Sequence, residues 1–82
     1  MTRDEIEEYC EYNGVTVLLL DGQDNAFIGF DKDLQKAVYD EGIIIDNLIK
    51  DGMTEEDAWE YYHFKIAGAY VDEQTPIIIK VL

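Results

Sequence analysis

Two periods of apolar residues organise this chain. At the N-terminus Ile6, Tyr9 and Cys10 share one face of a helical wheel, while Asp4, Glu7, Glu8 and Glu11 recur opposite them at i, i+3, i+4, i+7 spacing. Thr2 precedes the pattern and Glu5 follows three residues later, the sequence form of a capping box, and Asn13-Gly14 supplies a left-handed stop. The spacing predicts a helix over 3–12 with one docked face and one almost wholly carboxylate. Next, Val15-Thr16-Val17-Leu18-Leu19-Leu20 is apolar and β-branched and ends at the turn signal Asp21-Gly22, which predicts a buried strand at 15–20. Ala26-Phe27-Ile28-Gly29-Phe30 is short enough to return as its hairpin partner, with Gln23-Asp24-Asn25 completing the turn. After the polar loop Asp31-Lys32-Asp33, Lys36-Ala37-Val38-Tyr39 reads as a third short strand.

A helical period resumes at Ile44, Ile45, Leu48 and Ile49, behind Asp40 as N-cap and ahead of Gly52, and predicts a second helix over 41–51. Consecutive isoleucines also favour sheet, so a strand over 42–45 competes. The cap, the polar break at Asp46-Asn47 and the terminal glycine favour the helix. Thr54, with Asp57 three residues on, starts a third helix lined on one side by Ala58, Trp59, Tyr62 and Ile66, so these two helices form an αα-hairpin with a very short connection. Gly68-Ala69-Tyr70-Val71 is extended in character, Asp72-Glu73-Gln74-Thr75-Pro76 is a turn, and 77–81 is a final β-rich run with Pro76 where a missing backbone donor costs least. No repeat or linker interrupts the chain. The expectation is one α+β domain over 1–82: an antiparallel sheet of three to four strands, with the N-terminal helix and the αα-hairpin packed on it. Strand 15–20 is expected at its centre, and Leu18, Leu20, Ile28, Ile45, Leu48, Trp59, Tyr62 and Ile78 in the core.

Composition narrows the function. The 82 residues include 19 Asp and Glu against 6 Lys and Arg, a formal charge of -13 and a pI near 4.1. The 48% hydrophobic content is enough to bury a core despite that self-repulsion. Such a charge opposes direct contact with nucleic acid or anionic lipid, where affinity comes from Lys and Arg displacing counterions. A single cysteine cannot form an internal disulfide, and Met1-Thr2-Arg3-Asp4-Glu5 lacks the basic and apolar regions of a signal peptide, so a cytoplasmic protein is expected. The apolar runs at 17–20 and Ile77–Ile79 fall far short of the roughly 20 residues a membrane-spanning helix needs.

Candidate chemistry is sparse. An EF-hand starting at Asp21 requires Gly at 26 and Glu at 32, and the chain has Ala26 and Lys32, so Asp21, Asp24, Asp31 and Asp33 read as turn-capping residues and no metal or cofactor is expected. Cys10, among Glu7, Glu8 and Glu11, has surroundings that raise a thiol pKa, and reads as a small core residue. His63, bordering the Trp59, Tyr62 and Ile66 face, reads as a partly buried structural histidine. No nucleophile triad, phosphate loop or dinucleotide fingerprint is present, which makes an enzyme the weaker class. Tyr61 and Phe64 project away from the core stripe: coverage by the sheet or N-terminal helix is the favoured reading, and an exposed aromatic patch for a partner is the alternative.

Several short stretches carry a resemblance: Leu20-Asp21-Gly22 with Ala26 and Gly29, Val38-Tyr39-Asp40, Asp51-Gly52-Met53-Thr54-Glu55-Glu56, and Gly68-Ala69-Tyr70-Val71 with Thr75-Pro76. Together, over 17–79, they resemble a large group of small uncharacterised proteins encoded by tailed bacteriophages. The longer acidic N-terminal helix and the tail Ile77-Ile78-Ile79-Lys80 depart from that group. The resemblance implies a phage origin, a shared fold and the host cytoplasm as location, and transfers no catalytic residue; small early phage proteins often bind and disable a host enzyme or defence complex. The leading expectation is therefore an inhibitor or modulator that binds a basic, nucleic-acid-handling host protein. Asp4, Glu7, Glu8 and Glu11 imitate phosphates, Glu55, Glu56 and Glu60 add a second acidic patch, and Tyr61 and Phe64 add aromatic contacts. The alternatives are a ligand- or metal-binding enzyme domain using the Asp21–Asp24 loop, or a homodimeric assembly protein joined through a sheet edge or its tyrosines.

Overall fold

Helix α1, Arg3–Asn13, forms where the capping box predicts it: the Thr2 hydroxyl accepts the Glu5 N–H at 3.2 Å and Glu5 Oε1 accepts the Thr2 N–H at 3.0 Å. It ends in a Schellman closure. Gly14, at φ +66°, donates to the Glu11 carbonyl, and Val15 donates to that of Cys10 at 2.9 Å. These elements belong to a computed structural model that describes residues 2–32, 36–67 and 75–82. A short 3-10 turn, Asp24–Ala26, leads into strand β1, Phe27–Phe30, which pairs antiparallel with β2, Ala37–Asp40. Helix α2, Glu41–Lys50, follows directly because Asp40 is both the last strand residue and the N-cap, its Oδ1 accepting the Ile43 N–H at 3.3 Å.

The α2 connection closes by the same device as α1. Gly52, at φ +109°, donates to Ile49 and Met53 donates to Leu48, and the backbone angle at Gly52 is one that L side chains rarely adopt. Helix α3, Glu55–Tyr61, begins at Thr54, whose hydroxyl accepts the Asp57 N–H at 3.1 Å, and continues into a π-helical turn, Tyr62–Ala67. Strand β3, Ile77–Ile79, then lies beside β2, giving the order β1-β2-β3. The chain is α+β as expected, with both hairpin helices in place.

Three expectations about the sheet are corrected. It is mixed, because β3 runs parallel to β2; α2 and α3 form the crossover that a parallel pair requires. The 15–20 run joins no ladder among the described residues, and the centre of the sheet is β2. Instead the Tyr39 hydroxyl takes the Leu20 N–H at 2.9 Å, while Val17, Leu19 and Leu20 lie half-buried against the core. Ile28 is half exposed, at 49%, because the register shifts between Phe27 and Gly29 and Ile28 is the extra residue of a β-bulge. The expected 68–71 extension lies outside the described residues, as do residues 72–74 of the expected 72–76 turn.

The core is built on Tyr39 and Ile44, both fully buried, with Ala26, Ala37, Ile45, Leu48, Ala58 and Tyr62. Of the expected core residues, Ile45, Leu48 and Tyr62 are buried, while Leu20, Trp59 and Ile78 pack half-buried at its edge and Leu18 is half-buried. Helix α1 is anchored separately: Ile6 is fully buried, Tyr9 stacks on Phe30 at 5.2 Å, and Arg3 bonds the turn before β1.

Candidate functional site

Burial of Ile6 turns the opposite side of α1 outward, so Asp4, Glu7, Glu8 and Glu11 are all exposed. They are not equivalent. Arg3 Nε holds Glu7 Oε1 at 3.0 Å, and Arg3 Nη1 reaches Asp21 Oδ1 at 3.3 Å and Asp24 Oδ1 at 3.9 Å. The hydrogen bond that Arg3 donates to Glu7, with help from Asp21 and against some desolvation, raises the guanidinium pKa further. Glu7 is thus partly neutralised, whereas Asp4, Glu8 and Glu11 take part in no ion pair among the described residues. Cys10 lies half-buried, and burial, then the charge of Glu7, pushes its thiol pKa up, away from the range of a reactive thiolate.

A second acidic surface follows from the cap of α3. Glu55, Glu56 and Asp57 occupy its first turn, where the helix dipole favours negative charge, and Glu60 stands one turn further on. All four are exposed. Beside them Tyr61 is 43% and Phe64 74% exposed, which overturns the expectation that the sheet or α1 covers these rings. The reason is the packing of the stripe next to them: Ala58 and Tyr62 are buried and Trp59 and Ile66 half-buried against the core. Tyr62 is fixed further by donating its hydroxyl to Glu41 Oε2 at 2.9 Å. Burial first, then Glu41, drives the Tyr62 phenol pKa well above its ordinary value. His63 is exposed as well, contrary to its reading as a partly buried residue, with its ring 6.0 Å from that of Trp59 and 5.4 Å from that of Tyr62.

The two acidic surfaces border separate grooves. One is lined by Arg3, Glu7, Cys10 and Glu11 against 15–19; the other, of about 590 Å³, is lined by Met53, Asp57, Glu60, Tyr61, Phe64 and Lys65. A third groove, of about 380 Å³, lies between 18–20 and the π-helical turn and is mainly apolar. None of the three is lined by Asp21, Asp24 or His63. In the loop itself Arg3 already provides counter-charge to both aspartates, and among the described residues no group of three or more His, Cys, Asp or Glu is placed to hold a metal ion. No helix among the described residues is long and apolar enough to cross a membrane.

The amide cluster around Asn47 went unrecognised in the sequence. Asn47 Nδ2 donates to Gln23 Oε1 and Asn25 Oδ1, each at 2.7 Å, and Asn25 Nδ2 returns a bond to Asn47 Oδ1 at 3.0 Å. It pins the turn before β1 to α2 and buries Gln23. Its only sequence signal was the polar break in the α2 stripe, which reads equally well as solvated surface. Comparison of the chain with protein-family models, curated proteins and solved structures found no match in any of the three.

Proposed function

We propose that this chain is an interaction protein whose acidic surface binds a basic surface of another protein. The observation that supports it best is the outer face of α1, where Asp4, Glu8 and Glu11 stand exposed without a cationic partner among the described residues while Ile6 holds the helix in place. Carboxylates at i, i+3 and i+4 have Cβ atoms about 5–6 Å apart, a repeat of the same order as successive phosphates. This supports a site that normally receives nucleic acid as the target. The resemblance to small phage proteins makes a host protein the natural partner and inhibition the natural consequence. With a charge of -13, association is steered by the summed field and weakens with salt. The loop reading is less well supported, because Arg3 occupies the position where a cation would sit between Asp21 and Asp24.

The test is capture of partners from a bacterial lysate at low and high salt, followed by affinity measurements on the purified partner. The variant changes Asp4→Asn, Glu8→Gln and Glu11→Gln, leaving Glu7 to hold Arg3. Affinity is expected to fall and its salt dependence to flatten together, and nucleic acid is expected to compete with the wild-type chain. Unchanged affinity with an unchanged salt slope removes α1 as the recognition surface.

A further inference from the structure

We infer that the groove on the outer side of α3 is a receptor for an arginine side chain presented by a basic segment of the partner protein. The inference rests on the proposed binding of a basic protein and names the anchoring chemistry. Tyr61 and Phe64 place two aromatic rings in one groove with Met53 and the carboxylates of Asp57 and Glu60. Leaving a phenylalanine 74% exposed beside a packed core is costly surface to keep, and exposed aromatic area of this kind marks contact sites. The π-helical turn Tyr62–Ala67 is a second, independent sign: such i→i+5 turns are rare and frequently occur at functional sites. Here the turn keeps Tyr62 buried and Ile66 half-buried while Phe64, between them, faces solvent.

Charge selects the occupant. A second copy also carries -13, an anionic membrane or nucleic acid repels the groove, and a neutral apolar segment leaves the excess of two carboxylates, Asp57 and Glu60, over the one ammonium of Lys65 unbalanced. Guanidinium fits both halves of the site, since its plane stacks on an aromatic ring while its edge donates paired hydrogen bonds to a carboxylate. An ammonium lacks the plane. Lys65 also lines the groove and repels either cation, so the attraction comes from Asp57 and Glu60.

The experiment is an NMR titration of the full chain with two short capped peptides, Gly-Arg-Gly-Arg-Gly and its lysine counterpart, at low salt. The arginine peptide is expected to shift amides over 57–65 and to bind more tightly than the lysine peptide by up to about 2–5-fold, the ceiling set by one exposed cation–π contact, because only guanidinium adds planar stacking and paired hydrogen bonds. Phe64→Ala should remove most of that advantage, and Glu60→Gln should weaken both peptides about twofold. Phe64 is mostly exposed, so its variant should melt with the wild type and the loss reads as binding. The α1 triple variant should bind the arginine peptide in this groove as the wild type does. Equal binding of the two peptides, shifts confined to α1, or concentration-dependent self-association through the groove overturns the arginine site while leaving a basic partner on α1 intact. No binding of either peptide anywhere overturns both readings.

Discussion

Single side chains decide several features of this fold, and Tyr62 is the clearest. It closes the core from α3 and spends its hydroxyl on Glu41, so Tyr62→Phe keeps the ring but leaves a half-buried carboxylate without its donor. The expected cost is about 1.5–3 kcal/mol by urea denaturation, the range for a hydrogen bond to a charged group. Tyr39 serves the other side of the molecule by accepting the Leu20 N–H, and Tyr39→Phe strands that amide at a cost of about 1–3 kcal/mol. Ile28 lies at the opposite limit. Its place in the bulge predicts that Ile28→Thr changes stability by no more than about 0.5 kcal/mol, as a surface substitution does. A loss of several kcal/mol there would mean that the bulge is absent and Ile28 faces the core.

At the scale of elements, α1 and α2 differ in how they are held. Helix α2 contributes Ile44, Ile45 and Leu48 to the main core, whereas Ile6 is the one buried residue of α1. A cost of about 2–5 kcal/mol to the whole domain in Ile6→Ala would mean that the cavity is felt by one cooperative unit. If α1 opens as its own unit, hydrogen exchange should show amides of 3–13 unprotected in this variant and those of 41–50 unchanged, which is the outcome the separate anchoring predicts. Both helices were legible because caps, periodicity and stop glycines agree at each. The 15–20 run was not, since β-branched apolar residues describe burial beside a sheet as well as membership in it, and a strand exists only where a ladder partner lies alongside. The parallel pairing of β3 did have a signal: two helices separate it from β2, a connection suited to a crossover rather than a hairpin.

For the whole molecule, charge sets the response to solvent. Ion pairs among the described residues centre on Arg3, and 19 carboxylates face only 6 Lys and Arg in the sequence, so net repulsion among the carboxylates is built in. The melting temperature at neutral pH is expected to rise between about 0.01 and 0.5 M salt, as the Debye length shrinks. A falling melting temperature would show that attractive pairs dominate. Alkaline pH acts through the phenols. Burial leads the upward pKa shifts of both Tyr62 and Tyr39 from the ordinary 10.0, so the folded state holds those protons more tightly than the unfolded chain. Their contribution is complete below pH 10 and is lost as pH rises above it, more gently in Tyr62→Phe than in the wild type. At the acid end Glu5, its pKa lowered from 4.5 by the Thr2 backbone, supports the α1 cap above that pH and ceases to as pH falls below it.

The sequence by itself determined what depends on near neighbours: three capped helices, the turn at Asp21-Gly22, two short strands after it, and an α1 with one apolar and one carboxylate face. Those features follow from spacing of a few residues and from backbone preferences that each residue carries wherever it is placed. Only the tertiary structure decided which strand is central, that Ile28 turns out of the core, that Arg3 takes Glu7 out of the free acidic face, and that Tyr61 and Phe64 stand uncovered beside Asp57 and Glu60. Each of these depends on which distant segment lies alongside, and a local pattern records that a side chain is apolar or charged without recording what meets it.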